Sequence, residues 1–122
     1  MIDPTEAAQE RAKEWIIYYL TDRQHLEYDL WGNCIEAELD EHPSREEVFA
    51  LVSQVRQALV TGSPLPAMDS DLRRAFCQYM ERGERIFADA AVASWQEDFG
   101  GDFVEEVMDA YQAAVARLKE QK

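Results

Sequence analysis

Two carboxylate pairs, Glu38-x-x-Glu41 and Glu106-x-x-Asp109, have the i,i+3 spacing that sets two side chains together on one helix face, where they could share a divalent metal ion. Histidine would be the other ligand, and the chain has only His25 and His42. A di-metal site in a bundle core takes a Glu-x-x-His pair from each of two helices and a Glu from each of two others. Three residues before His25 and His42 stand Asp22 and Leu39, so that route is not encoded. No HExxH, no phosphate-cradling glycine loop and no GxSxG occurs. Cys34 and Cys77 have no CxxC partner and are expected as small, reduced core residues. No cofactor is expected.

The acidic pairs resemble those of the helical nucleoside-triphosphate pyrophosphohydrolases, which hold magnesium with such pairs on adjacent helices. That resemblance implies an enzyme in which Glu38, Glu41, Glu106 and Asp109 hold Mg²⁺ against a nucleotide. The sequence departs from the pattern in two ways: the gap between the pairs is longer than in that family, and no accompanying basic motif is present.

Charge is the stronger signal. The 122 residues carry 25 Asp and Glu against 12 Lys and Arg, a formal net charge of −13. That sign opposes direct binding to nucleic-acid phosphates or to anionic membranes, both of which need basic patches. The charge is also segregated. Residues 36–47 hold six acids and one arginine, residues 95–109 hold six acids and no base, and residues 73–85 hold four arginines against two glutamates. Helix N-termini stabilise nearby acids, which accounts for Glu46, Glu47, Asp102, Glu105 and Glu106. Glu36, Glu38, Asp40 and Glu41 fall at a helix C-terminal end, where the dipole is unfavourable.

The leading expectation is therefore an acidic interaction module that binds a basic protein surface, a nucleic-acid-binding protein being one such partner. Glu36, Asp40, Glu41, Glu105, Glu106 and Asp109 would carry the electrostatics, with Trp31 or Trp95 as anchors. An inhibitor of the DNA-mimic, anti-CRISPR or other anti-defence kind, an immunity protein and a chaperone for a basic client all fit this description. The alternatives are the magnesium enzyme above and a structural homo-oligomer joined through Trp15 to Leu20, where the last turn of a helix is apolar nearly all round.

The elements that must position these groups are helices throughout. Asp3, Pro4 and Glu6 make a helix start with a capping box, and that helix runs to about Leu20 with Ala8, Ala12, Trp15, Ile16 and Tyr19 inward. A second runs from near Asp22 and stops before Pro43. At 100° per residue it buries Leu26, Leu30, Trp31, Cys34 and Ile35, turns Asp29, Asn33, Glu36, Asp40 and His25 outward, and leaves Glu27 and Glu38 on the inner side. Ser44 and Glu47 open a third helix that Gly62 closes. A fourth, capped by Asp69 or Ser70, carries Gly83 on its buried face, which implies a close crossing or a break. Gly100 and Gly101 end it, and Asp102 caps a fifth. The expected fold is all-α: one domain over residues 1–122, an antiparallel bundle of about five helices. The longest apolar run, Trp15 to Leu20, is too short to span a bilayer, and the N-terminus lacks a secretory signal pattern, so the default compartment is cytoplasmic.

Overall fold

The computed structural model describes the backbone of residues 4–120 and the side chains of residues 6–85 and 96–119. It is an all-α bundle, with no strand among the described residues. The elements are α1 (Pro4–Tyr19), α2 (Arg23–His25) running directly into a π-helix (Leu26–Glu36), α3 (Arg45–Thr61), α4 (Ser70–Phe99) and α5 (Gly101–Glu120). No helix among the described residues is long and apolar enough to cross a membrane. The cap expected of Asp3 lies outside the described residues.

Local chemistry sets most of the helix ends. The side chains of Asp22, Ser44 and Asp69 accept the backbone N–H groups of His25, Glu47 and Leu72 at 3.2, 3.2 and 2.7 Å, which satisfies donors that a helix start leaves open. Gly62 stops α3 at φ 79°, a left-handed conformation that costs glycine nothing. Leu65 and Met68, in the extended connection that follows, pack on the core. At the other hinge the structure corrects the sequence reading. Gly100 alone separates α4 from α5, and Gly101 is already helical, so Asp102 stands in the first turn of α5 instead of capping it. The acid still sits where the dipole favours it.

α4 runs unbroken through Gly83, so the close-crossing reading of that glycine holds and the break does not. A Cβ built there would lie 2.7 and 2.8 Å from two ring carbons of Tyr19 and 3.0 Å from the Tyr111 hydroxyl. Only hydrogen fits between α4 and the two aromatic side chains that α1 and α5 press against it. Around this point Tyr19 stacks on Tyr79 with ring centroids 4.3 Å apart, Tyr79 Oη donates to the Tyr19 carbonyl at 2.6 Å, and Tyr111 Oη donates to the Met80 carbonyl at 2.8 Å. The three tyrosines are fully buried, and their hydroxyls have found acceptors, as burial of such groups requires. The core spreads from here through Ile16, Leu30, Ile35, Val48, Val55, Phe76 and Leu118. In α5 the buried stripe is Val104, Val107, Tyr111, Val115 and Leu118.

The second helical segment departs furthest from expectation. From Leu26 to Glu36 its turns are those of a π-helix, closed by Ala37 N–H donating to the Gly32 carbonyl five residues back. The pattern of apolar residues explains what this wider turn achieves. Leu26 and Ile35 are nine residues apart, about two and a half turns of an α-helix, so at 100° per residue they stand at the two opposite edges of the expected buried arc, which then spans half the circumference. A π-turn brings them together, and Leu26, Leu30, Cys34 and Ile35 are all buried. The changed phase also redirects polar groups. Asp29, expected outward, is half-buried and accepts from the Tyr19 hydroxyl at 3.4 Å. His25, also expected outward, lies with its ring 4.9 Å from that of Tyr19.

Candidate functional site

The π-helix ends at Glu36, and the chain then bends to Ser44 before α3 begins. Glu36, Glu38, Asp40, Glu41, Glu46 and Glu47 are all exposed in and beside this bend. None of the six takes part in an ion pair among the described residues. Arg45, the one cation within the segment, is turned to a carboxylate outside it: its Nη2 lies 2.6 Å from Glu27 Oε1, and its guanidinium sits 5.4 Å over the Phe49 ring. Glu27 also meets Arg23 Nε at 3.1 Å, so this inner-stripe acid is neutralised from both sides. Glu38, the other acid placed on the inner stripe by sequence, is exposed.

The bend is anchored. Leu39 packs against the core and donates its N–H to the Ile35 carbonyl at 2.9 Å. Trp31 meets the His42 ring edge-on with centroids 5.1 Å apart, and His42 Nδ1 lies 2.9 Å from the Pro43 carbonyl oxygen. Trp31 is partly buried against the core, so much of its ring already serves the fold.

The second acidic group lies along α5 and the end of α4. Glu97, Asp98, Asp102, Glu105 and Asp109 are exposed, while Glu106 is half-buried with one carboxylate oxygen that has no hydrogen-bond partner among the described residues. The side chain of Trp95 lies outside the described residues. The π-helix packs chiefly on α4, whereas α5 packs on α4, α1 and α3. No group of three or more His, Cys, Asp or Glu side chains among the described residues is placed to hold a metal ion, so Glu38, Glu41, Glu106 and Asp109 do not converge as the magnesium reading requires. Of the apolar turn Trp15 to Leu20, Ile16, Tyr19 and Leu20 are buried in the core, and Ile17 and Tyr18 are exposed.

Elsewhere several cations are engaged within the chain. Arg11 pairs with Glu14, Lys13 with Glu10, Arg74 with Asp71, and Lys119 with Glu81. Arg117 reaches from α5 to the Ala58 carbonyl, which also accepts the Gly62 N–H, and to the Ser63 carbonyl, at 2.5 and 2.6 Å, tying the C-terminal end of α3 to α5. One cleft gathers three cations: Arg73, Arg74 and Lys119, between α4 and the end of α5. The sequence reading noted the arginine-rich run of α4 but missed this cleft. Lys119 and Leu118 reach it from the far end of the chain, which no local pattern shows.

Compared with protein-family models, curated proteins and solved structures, the chain matches none.

Proposed function

We propose that the protein is an interaction module whose acidic bend, residues 36–47, docks on a basic surface of a partner protein in the cytoplasm. Glu36, Asp40 and Glu41 are its principal charges. The observation that supports this reading is the imbalance described above: six exposed carboxylates with no ion pair among the described residues, beside an arginine turned away to Glu27. Like charges held this close cost folding energy unless something outside the chain gains from them. Glu105, Glu106 and Asp109 add to the same negative field and would steer a basic partner toward the molecule. The sharpest form of the reading is an inhibitor that fills a groove built for nucleic acid, its carboxylates standing in for phosphates.

Attraction of this kind acts over a screening length of about 8–10 Å at moderate ionic strength, so it weakens steeply as salt rises. The test is capture of partners by the purified protein at low and high salt, with the triple variant Glu36→Gln, Asp40→Asn, Glu41→Gln in parallel and heparin as competitor. The expected result is a partner held only at low salt, displaced by heparin, and bound at least about tenfold more weakly by the triple variant. Equal capture by wild type and variant at both salt concentrations would sink the proposal.

A further inference from the structure

Away from the acidic bend, α4, the last turns of α5 and the connection preceding α4 enclose an open cleft of about 560 Å³. That volume is typical of small-molecule sites, ~300–1,000 Å³. Met68, Cys77 and Leu118 give it apolar walls, and Arg73, Arg74 and Lys119 stand around them. The three cations are not equivalent. Arg74 has Asp71 at 3.0 Å and Lys119 has Glu81 at 2.5 Å, both exposed pairs that solvent and competing anions readily exchange. Arg73 has no carboxylate among the described residues. Its Nη2 makes one long contact of 3.5 Å with the Met68 carbonyl, and its Nε is buried without a hydrogen-bond partner. The buried Nε is out of a ligand's reach, and the Nη edge of a guanidinium is a fork shaped to receive a carboxylate through two parallel bonds.

We propose that this cleft binds a small amphipathic monoanion, a carboxylate carried on a short apolar chain. The head group pairs with Arg73, whose charge is the one left over once Asp71 and Glu81 have matched Arg74 and Lys119. The apolar chain lies along Met68, Cys77 and Leu118. Lys119 closes over the head from α5 by exchanging part of its contact with Glu81. A dianion would exceed the single uncompensated charge, and a neutral molecule would leave Arg73 as it stands. In a chain of net charge −13, a cleft whose cations outnumber its acids is where an anion can be held.

The experiment uses the full chain and four probes: octanoate, octan-1-ol, octylammonium and acetate, followed by calorimetry and by amide chemical shifts of labelled protein. Octanoate is expected to bind at least about tenfold more tightly than the other three, with shifts concentrated at residues 68–81 and 115–119. Arg73→Gln is expected to bring octanoate down to the level of octan-1-ol. Because Arg73 is half-buried, Lys119→Gln, at an exposed side chain, serves as the second variant and is expected to weaken octanoate several-fold while leaving octan-1-ol unchanged. Octanoate binding no tighter than octan-1-ol overturns the proposal, as do shifts confined to other parts of the molecule or full octanoate affinity in a folded Arg73→Gln protein.

Discussion

At the crossing of α1, α4 and α5 the tyrosine hydroxyls are answered from within the chain; in the bend at 36–47 the six exposed carboxylates have no ion-pair partner among the described residues. Tyr79 and Tyr111 donate to backbone carbonyls and Tyr19 to Asp29, and a glycine is kept so that their rings can close on α4. Glu36, Asp40 and Glu41 stand in water beside acids of the same sign. The difference separates residues chosen for the fold from residues the fold merely tolerates. Substitution should therefore lower stability at the first region and leave it level or raise it at the second.

The largest effect expected is alkaline unfolding. Burial, joined for Tyr19 by the nearby Asp29 and for Tyr79 by Tyr19, pushes all three tyrosine hydroxyls well above their usual value of 10.0. A folded-state value above the unfolded one means the stability is fully present below pH 10 and is lost as pH rises past it. Each tyrosine steepens that loss by about 1.4 kcal/mol per pH unit, so the three together reach roughly 4 kcal/mol per unit. Cys77, whose thiol burial and then Glu81 push up to about 11, adds to the fall from about pH 9. Urea titrations at intervals between pH 8 and 11 measure this directly. A flat midpoint across that range would mean that the crossing is open to water.

Gly83→Ala comes next. Its Cβ must displace a buried Tyr19 ring, an overpacking cost of about 1–3 kcal/mol, against which alanine regains about 1 kcal/mol of helix propensity. A net loss of up to about 2 kcal/mol in chemical denaturation is expected. Gly101→Ala is the control, since nothing lies within 4 Å of a Cβ there, and it should be neutral or slightly stabilising. Equal effects at the two glycines would remove the close crossing. Tyr79→Phe keeps the stacked ring but leaves the Tyr19 carbonyl without its buried donor, and about 1 kcal/mol should be lost in the same assay.

Much of the crossing was legible in sequence. The stripe of α1, and Gly83 on the buried face of α4, follow from a 3.6-residue period and the rarity of glycine inside helices. The caps at Ser44 and Asp69 and the stop at Gly62 were legible for the same local reasons. The π-helix was not, because the period assumed in reading a pattern cannot reveal that the period itself has changed. The error carried through to Asp29 and His25, both of which face Tyr19. At the candidate site the exposure of Glu36, Asp40 and Glu41 was legible, as their types suggest. What stayed hidden was that Arg45 turns to Glu27, a pairing 18 residues apart that depends on how the π-helix meets α3.

The smallest effect expected carries the opposite sign and tests the comparison most sharply. Glu36 closes a helix at its C-terminal end, where the exposed carbonyls repel a negative charge; an unfavourable contact of this kind is worth about 0.3–1 kcal/mol at low ionic strength. Removing that charge, with those of Asp40 and Glu41, breaks no ion pair among the described residues. The triple variant Glu36→Gln, Asp40→Asn, Glu41→Gln should therefore gain a few tenths to about 1 kcal/mol in denaturant unfolding at low salt, and high salt should erase the gain by screening the repulsion it relieves. A loss of stability instead would mean that these carboxylates have partners within the fold, and the bend would then belong with the crossing as a structural element.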